Sequence, residues 1–142
     1  MLAEALKNRI QIADLAQDWK KAIEIVIRPL QEDGCVEARY LDAIYDNVSV
    51  NGDYFIIMPG FAMPHTRSEN GVLKNGLSFL KLRTPVVFSS GQEVSYLMGV
   101  AAANADDHID LLAELADILM DDKAMEQLEQ ADSAEQILEI FR

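Results

Sequence analysis

The run Met58-Pro59-Gly60-Phe61-Ala62-Met63-Pro64-His65-Thr66-Arg67 sets one of only two histidines in a constrained, largely apolar segment. Pro59 and Pro64 fix φ at their own positions and push Met58 and Met63 toward extended backbone, while Gly60 permits a shape that other residues resist. A segment so restricted aims a side chain. That side chain is His65, whose imidazole is a nucleophile near neutral pH, and Arg67 is a fixed cation able to fork onto an anion. A nucleophile beside an anion binder points to phosphate chemistry. Only one nitrogen of the ring attacks while the other donates a hydrogen bond, so a carbonyl or side chain must hold the tautomer. The sequence does not name that group.

Each of these residues also has a plainer explanation. Arg67 could pair with Glu69 on the surface, a weak and common arrangement. Phe61 and Met63 could fill the core beneath the turn. If they stay exposed around His65, they form a small apolar ring on which a partner docks transiently. His108, the second histidine, could be a solvent-facing residue in the first turn of a helix. If that helix starts at an Asp106 cap, its positive end would instead disfavour protonation of His108 and favour an anion before it. Cys35 follows a helix end rather than opening an anion-binding loop, so it reads as packing. As the single cysteine it forms no internal disulfide, and with two histidines it leaves too few soft ligands for structural zinc.

The chain around these residues has 142 residues, half of them apolar, which suits one domain with a single core. Its net charge of −12 opposes nucleic acid and anionic membrane surfaces and favours a basic partner. Leu2 to Leu6, interrupted by Glu4, is too short for a signal-peptide core, and no apolar run approaches the roughly 20 residues of a spanning helix. The expected location is the cytoplasm.

Ile10 and Ile12 alternate with polar residues as in a short strand, and Asp18 caps an amphipathic helix from Trp19 to about Asp33. Pro29 should remove one hydrogen bond and kink that helix, and Gly34 should end it. A second helix follows Glu37 and stops at the Asn51-Gly52 turn signal. Tyr54 to Met58, Leu77 to Leu82 and Val94 to Ala103 read as strands, the last buried on both faces. A loop from Pro59 to Gly76, longer than most, connects the first two and begins with the histidine segment. The last third is helical, with caps predicted at Asp106, Asp121 and Ser133, the last at capping-box distance from Gln136. The whole predicts an α/β single domain, residues 1–142, with a mixed, mostly parallel sheet flanked by helices on both faces.

Tyr40-Leu41-Asp42-Ala43, Asn51-Gly52-Asp53-Tyr54-Phe55, the segment from Pro59 to Arg67, Gly71-Val72-Leu73-Lys74-Asn75-Gly76 and Ala105-Asp106-Asp107-His108 together resemble a known family. It is the enzyme IIA group of the bacterial phosphoenolpyruvate-dependent sugar phosphotransferase system, in its mannitol/fructose superfamily. Gly52 to Phe55 and the Pro64-His65-Thr66-Arg67 core are most similar to the ascorbate-type branch. The resemblance implies that His65 takes a phosphoryl group from the phosphohistidine of the carrier HPr and gives it to a cysteine of a cognate enzyme IIB. It implies no nucleotide, no metal and no other cofactor. It also implies that His108 lies beside the phosphorylated ring and holds ring or phosphate. Two positions depart from the pattern. Mannitol-type members carry an arginine near the place of Asn47, which shifts the role of phosphate cation to Arg67, and Thr66 stands where ascorbate-type members usually have glycine.

Phosphoryl transfer needs little beyond an in-line nucleophile and groups that stabilise charge on the equatorial oxygens, so the chemistry agrees with the residues. A regulatory module that signals by its phosphorylation state would share His65. A histidine-based hydrolase would need a second catalytic group, and none is evident in the loop. An adaptor would not need the histidine. No nucleic-acid partner and no membrane insertion are expected, and a homodimer is left open.

Overall fold

A one-turn helix, α1 (Leu2–Leu6), and strand β1 (Ile10–Ala13) open the chain in the computed structural model, which describes residues 2–142 and, for residues 105–108, the backbone only. The Asp18 carboxylate accepts from the Lys21 backbone N–H at 2.8 Å, capping helix α2 (Trp19–Glu32) as predicted. That helix runs through Pro29. Proline has no N–H for the Ile25 carbonyl one turn back, and Gln11 Nε2 on β1 donates to that carbonyl instead, at 3.0 Å. Gly34, at φ +76°, closes the end, with the Cys35 N–H on the Leu30 carbonyl at 2.8 Å. Helix α3 (Arg39–Asn51) stops at Gly52, φ +69°.

The next stretch differs from expectation. Instead of one strand and then a loop from Pro59, the chain makes β2 (Ile56–Met58), turns through Pro59-Gly60, and returns as β3 (Gly60–Ala62), antiparallel to it. Gly60 has φ +84°, which a proline-glycine turn demands and which an L side chain resists. The loop begins only after Ala62. Past a short 3-10 helix (Ser68–Asn70) come β4 (Gly76–Val87) and β5 (Glu93–Ala101). β4 extends five residues beyond the predicted Leu82, and its register with β5 slips between Lys81 and Val86, where Pro85 cannot donate to the ladder.

Helices α4 (Ala105–Leu119), α5 (Asp122–Gln130) and α6 (Ala134–Ile140) complete the chain. Asp121 and Ser133 cap α5 and α6 as predicted, accepting from Lys123 N and Gln136 N. α4 starts at Ala105, so Asp106 falls inside its first turn rather than before it. Among the described residues no helix is long and apolar enough to cross a membrane.

The strands form one sheet in the order β1-β4-β5-β3-β2. It is mixed, as expected, and its parallel pairings, β1 with β4 and β3 with β5, equal the antiparallel ones rather than outnumber them. Alternation along the central strands supplies both faces. Leu80 and Leu97, paired across β4 and β5, enter the core beneath α2 and α3; the next pair, Phe79 and Met98, enters the core beneath α1, α4, α5 and α6. All four are buried, and each contributes about 2 kcal/mol by leaving water. Helices therefore cover both faces. α2 sits close because Gly99 carries no side chain: a Cβ there would collide with Ser78 Oγ and come within 3.2 Å of Ile27.

Candidate functional site

His65 emerges at the carboxyl end of the parallel pair β3 and β5, where open α/β sheets leave a crevice. Val100 on β5 holds the approach to it, its N–H reaching the Pro64 carbonyl at 3.3 Å. The crevice is an open cleft of about 880 Å³. α3 lends it Asn47 and Asn51, the loop lends residues 65–70, and Asn104 and Ile109 border it where α4 begins.

The half-buried His65 ring has its tautomer set by the backbone. Nδ1 lies 2.6 Å from the Met63 carbonyl oxygen, and since a carbonyl only accepts, Nδ1 must carry the proton. In the neutral ring the lone pair is then on Nε2. Tyr54 packs edge-on to the ring, centroids 5.7 Å apart at 73°, and its hydroxyl donates to the His65 carbonyl. The ring is thus held by the Met63 main-chain oxygen and the residue's own carbonyl by the Tyr54 hydroxyl.

One residue further on, the backbone is anchored again. The Tyr40 hydroxyl donates to the Val100 carbonyl at 2.7 Å and accepts from the Thr66 N–H at 3.1 Å. Tyr40 is fully buried, and burial pushes its phenol up to about 12, so it stays a proton donor through the physiological range. The Thr66 side chain is held separately. Its Oγ1 accepts from Asn47 Nδ2 on α3 and, at 2.9 Å, from Asn70 Nδ2 on the 3-10 helix. Asn47 and Thr66, nineteen residues apart, are therefore hydrogen-bonded to each other.

Arg67 lines the cleft with its side chain 84% exposed and Nη1 3.6 Å from Glu69 Oε1, so the surface pairing suggested by the sequence exists. Such a pair is weak and leaves the guanidinium within reach of an anion. Phe61 and Met63 are 0% and 3% exposed and belong to the core, so they make no ring around His65. Tyr54 and Ile109, both exposed, supply the apolar rim instead. Cys35 is buried against the Asn75 carbonyl and serves packing. His108 belongs to the first turn of α4 by its backbone, and its side chain lies outside the described residues.

Sequence reasoning did not find Tyr40, Tyr54 or Asn70 as site residues. Only the Pro59-Gly60 pair carried a local sign of what was missed, the turn that makes β3 a strand and places His65 at its end.

A sequence model of the family described as "Phosphoenolpyruvate-dependent sugar phosphotransferase system, EIIA 2" matches residues 5–142. The mannitol-specific cryptic phosphotransferase enzyme IIA component of Escherichia coli (strain K12) is 36% identical over 136 residues, covering 95% of this chain and 92% of that protein. The ascorbate-specific PTS system EIIA component of the same strain is 33% identical over 143 residues, covering 99% and 92%. Among solved structures, that of the mannitol-specific cryptic enzyme IIA from Escherichia coli has TM-score 0.90 and 34% identity, covering 99% of this chain and 97% of that one. A complex of the mannitol enzyme IIA with phosphorylated enzyme IIB, also from Escherichia coli, has TM-score 0.80 and 26% identity, covering 95% and 94%.

Proposed function

Because the chain belongs to the EIIA type 2 family of the phosphoenolpyruvate-dependent sugar phosphotransferase system, we propose that it relays a phosphoryl group through His65. The donor is the phosphohistidine of HPr, and the acceptor is a cysteine of an enzyme IIB. The observation that carries this reading is the contact of His65 Nδ1 with the Met63 carbonyl, because it leaves Nε2 as the attacking atom. As Nε2 gives its lone pair to phosphorus, the donor's phosphorus–nitrogen bond breaks and positive charge develops on the His65 ring. The Nδ1–H bond to Met63 strengthens as that charge grows, which favours the transition state over the ground state. In the second half the cysteine thiolate attacks phosphorus, the bond to Nε2 breaks, and the ring returns to neutral.

Charge on the equatorial oxygens is met by Arg67 at the cleft and by the amino end of α4, which is flanked by the cleft-lining Asn104 and Ile109. His108, in that first turn, acts as the group that holds ring or phosphate. Partner contact falls on the rim of exposed Tyr54 and Ile109, apolar enough for a short-lived interface. The enzyme IIB we favour is of the ascorbate type, on the Gly52 to Phe55 stretch and the Pro64 to Arg67 core. The mannitol-specific relative makes a mannitol-type enzyme IIB its competitor.

Incubation with radiolabelled phosphoenolpyruvate, the general phosphotransferase enzyme and HPr should place acid-labile, base-stable label on the wild type and none on His65→Ala. Equal labelling of the two removes His65 from the mechanism. Offering enzyme IIB of each type to the labelled protein then identifies the acceptor.

A further inference from the structure

The Thr66 hydroxyl sits where two carboxamides converge. Asn47 Nδ2 and Asn70 Nδ2 both donate to its oxygen, from α3 and from the 3-10 helix. A hydroxyl oxygen has two lone pairs and one proton. With both lone pairs taken by N–H donors, the proton has one direction left and can point at neither amide. The backbone of Thr66 is anchored independently by Tyr40. The result is a half-buried hydroxyl, one residue from His65 and lining the same cleft, with its proton aimed by neighbours. Arg67 differs in setting, its side chain being 84% exposed and paired with the likewise exposed Glu69.

We propose that the Thr66 O–H donates a hydrogen bond to a non-bridging oxygen of the phosphoryl group on His65, with Asn47 and Asn70 as the residues that position it. The inference rests on the phosphohistidine reading above and names a further group for the same site. No bond at Thr66 is made or broken. Phosphorus gains its bond to His65 Nε2 as it loses the one to the donor nitrogen, and the hydroxyl proton stays on its oxygen throughout. A neutral donor held in place before reaction stabilises the anionic oxygen without reorganisation.

The test compares wild type, Thr66→Val and Thr66→Ser by two measurements: the rate of label transfer from phosphorylated HPr, and the pH titration of the phosphohistidine ³¹P resonance. Valine keeps the shape and removes the hydroxyl, and should slow transfer about tenfold while raising the ³¹P midpoint, because the dianion has lost a donor. Serine should keep the rate within about twofold of wild type and leave the midpoint unmoved. Thr66→Ala reports the same quantities if valine does not pack. Slow transfer with an unmoved midpoint would reduce Thr66 to a loop anchor and overturn the inference. So would a valine variant equal to wild type in both measurements, while label on His65 left the relay reading intact. A wild type that takes no label on His65 removes both.

Discussion

Arg67 separates chemistry from stability, because its side chain is 84% exposed and its Glu69 partner stands 3.6 Å away in open solvent. An exposed pair of this kind contributes about 0–1 kcal/mol. Arg67→Ala should therefore melt within a few degrees of wild type, while transfer to His65 slows about tenfold or more as a cation leaves the phosphate. Paired thermal melts and transfer rates check this, and an unchanged rate would return Arg67 to a surface ion pair. His65 is the opposite case. Its proposed role as nucleophile rests on residue type, but the proton on Nδ1, which leaves the lone pair of the neutral ring on Nε2, is set by a main-chain oxygen two residues back. Replacing Met63 by another side chain leaves that oxygen in place, so the tautomer does not depend on residue type there.

Between elements, Tyr40 ties α3, the histidine loop and β5 together through one hydroxyl. Tyr40→Phe leaves the Val100 carbonyl and the Thr66 N–H without that partner, and should cost about 1–3 kcal/mol in urea unfolding. It should also alter the alkaline limb of stability. Burial raises the Tyr40 phenol from 10.0 to about 12, so the unfolded chain loses this proton first as pH rises. The stability linked to it is complete below pH 10 and is lost as pH climbs toward 12, by up to ~1.4 kcal/mol per pH unit. Tyr45, also pushed up to about 12 by burial, adds a slope of the same sign. Urea midpoints taken from about pH 9 to about pH 11 should fall for wild type and fall less steeply for Tyr40→Phe. Equal slopes would show that Tyr40 does not titrate late.

Across the whole molecule, charge is unevenly shared: residues 105–142 hold twelve carboxylates against two basic side chains, while residues 1–104 hold twelve against ten. The acidic stretch is α4 to α6, the layer over one face of the sheet, and α4 begins at the cleft. A basic patch on the phosphoryl donor would be steered there. The second-order rate of transfer should then fall about tenfold between low salt and about 0.5 M salt, with the unimolecular step inside the complex unchanged. A rate indifferent to salt would make this layer an ordinary solvated surface. The uneven charge, the caps at Asp18, Asp121 and Ser133, and the aimed histidine are all legible in the sequence, since each depends on residue type or on neighbours within one helical turn. The pairing of β3 with β5, the Tyr40 bond to Val100 sixty residues away and the meeting of Asn47 with Thr66 nineteen residues away were not. A cap is closed by the chain's own local geometry, whereas these contacts exist only once the sheet order has brought distant segments to one end of the strands.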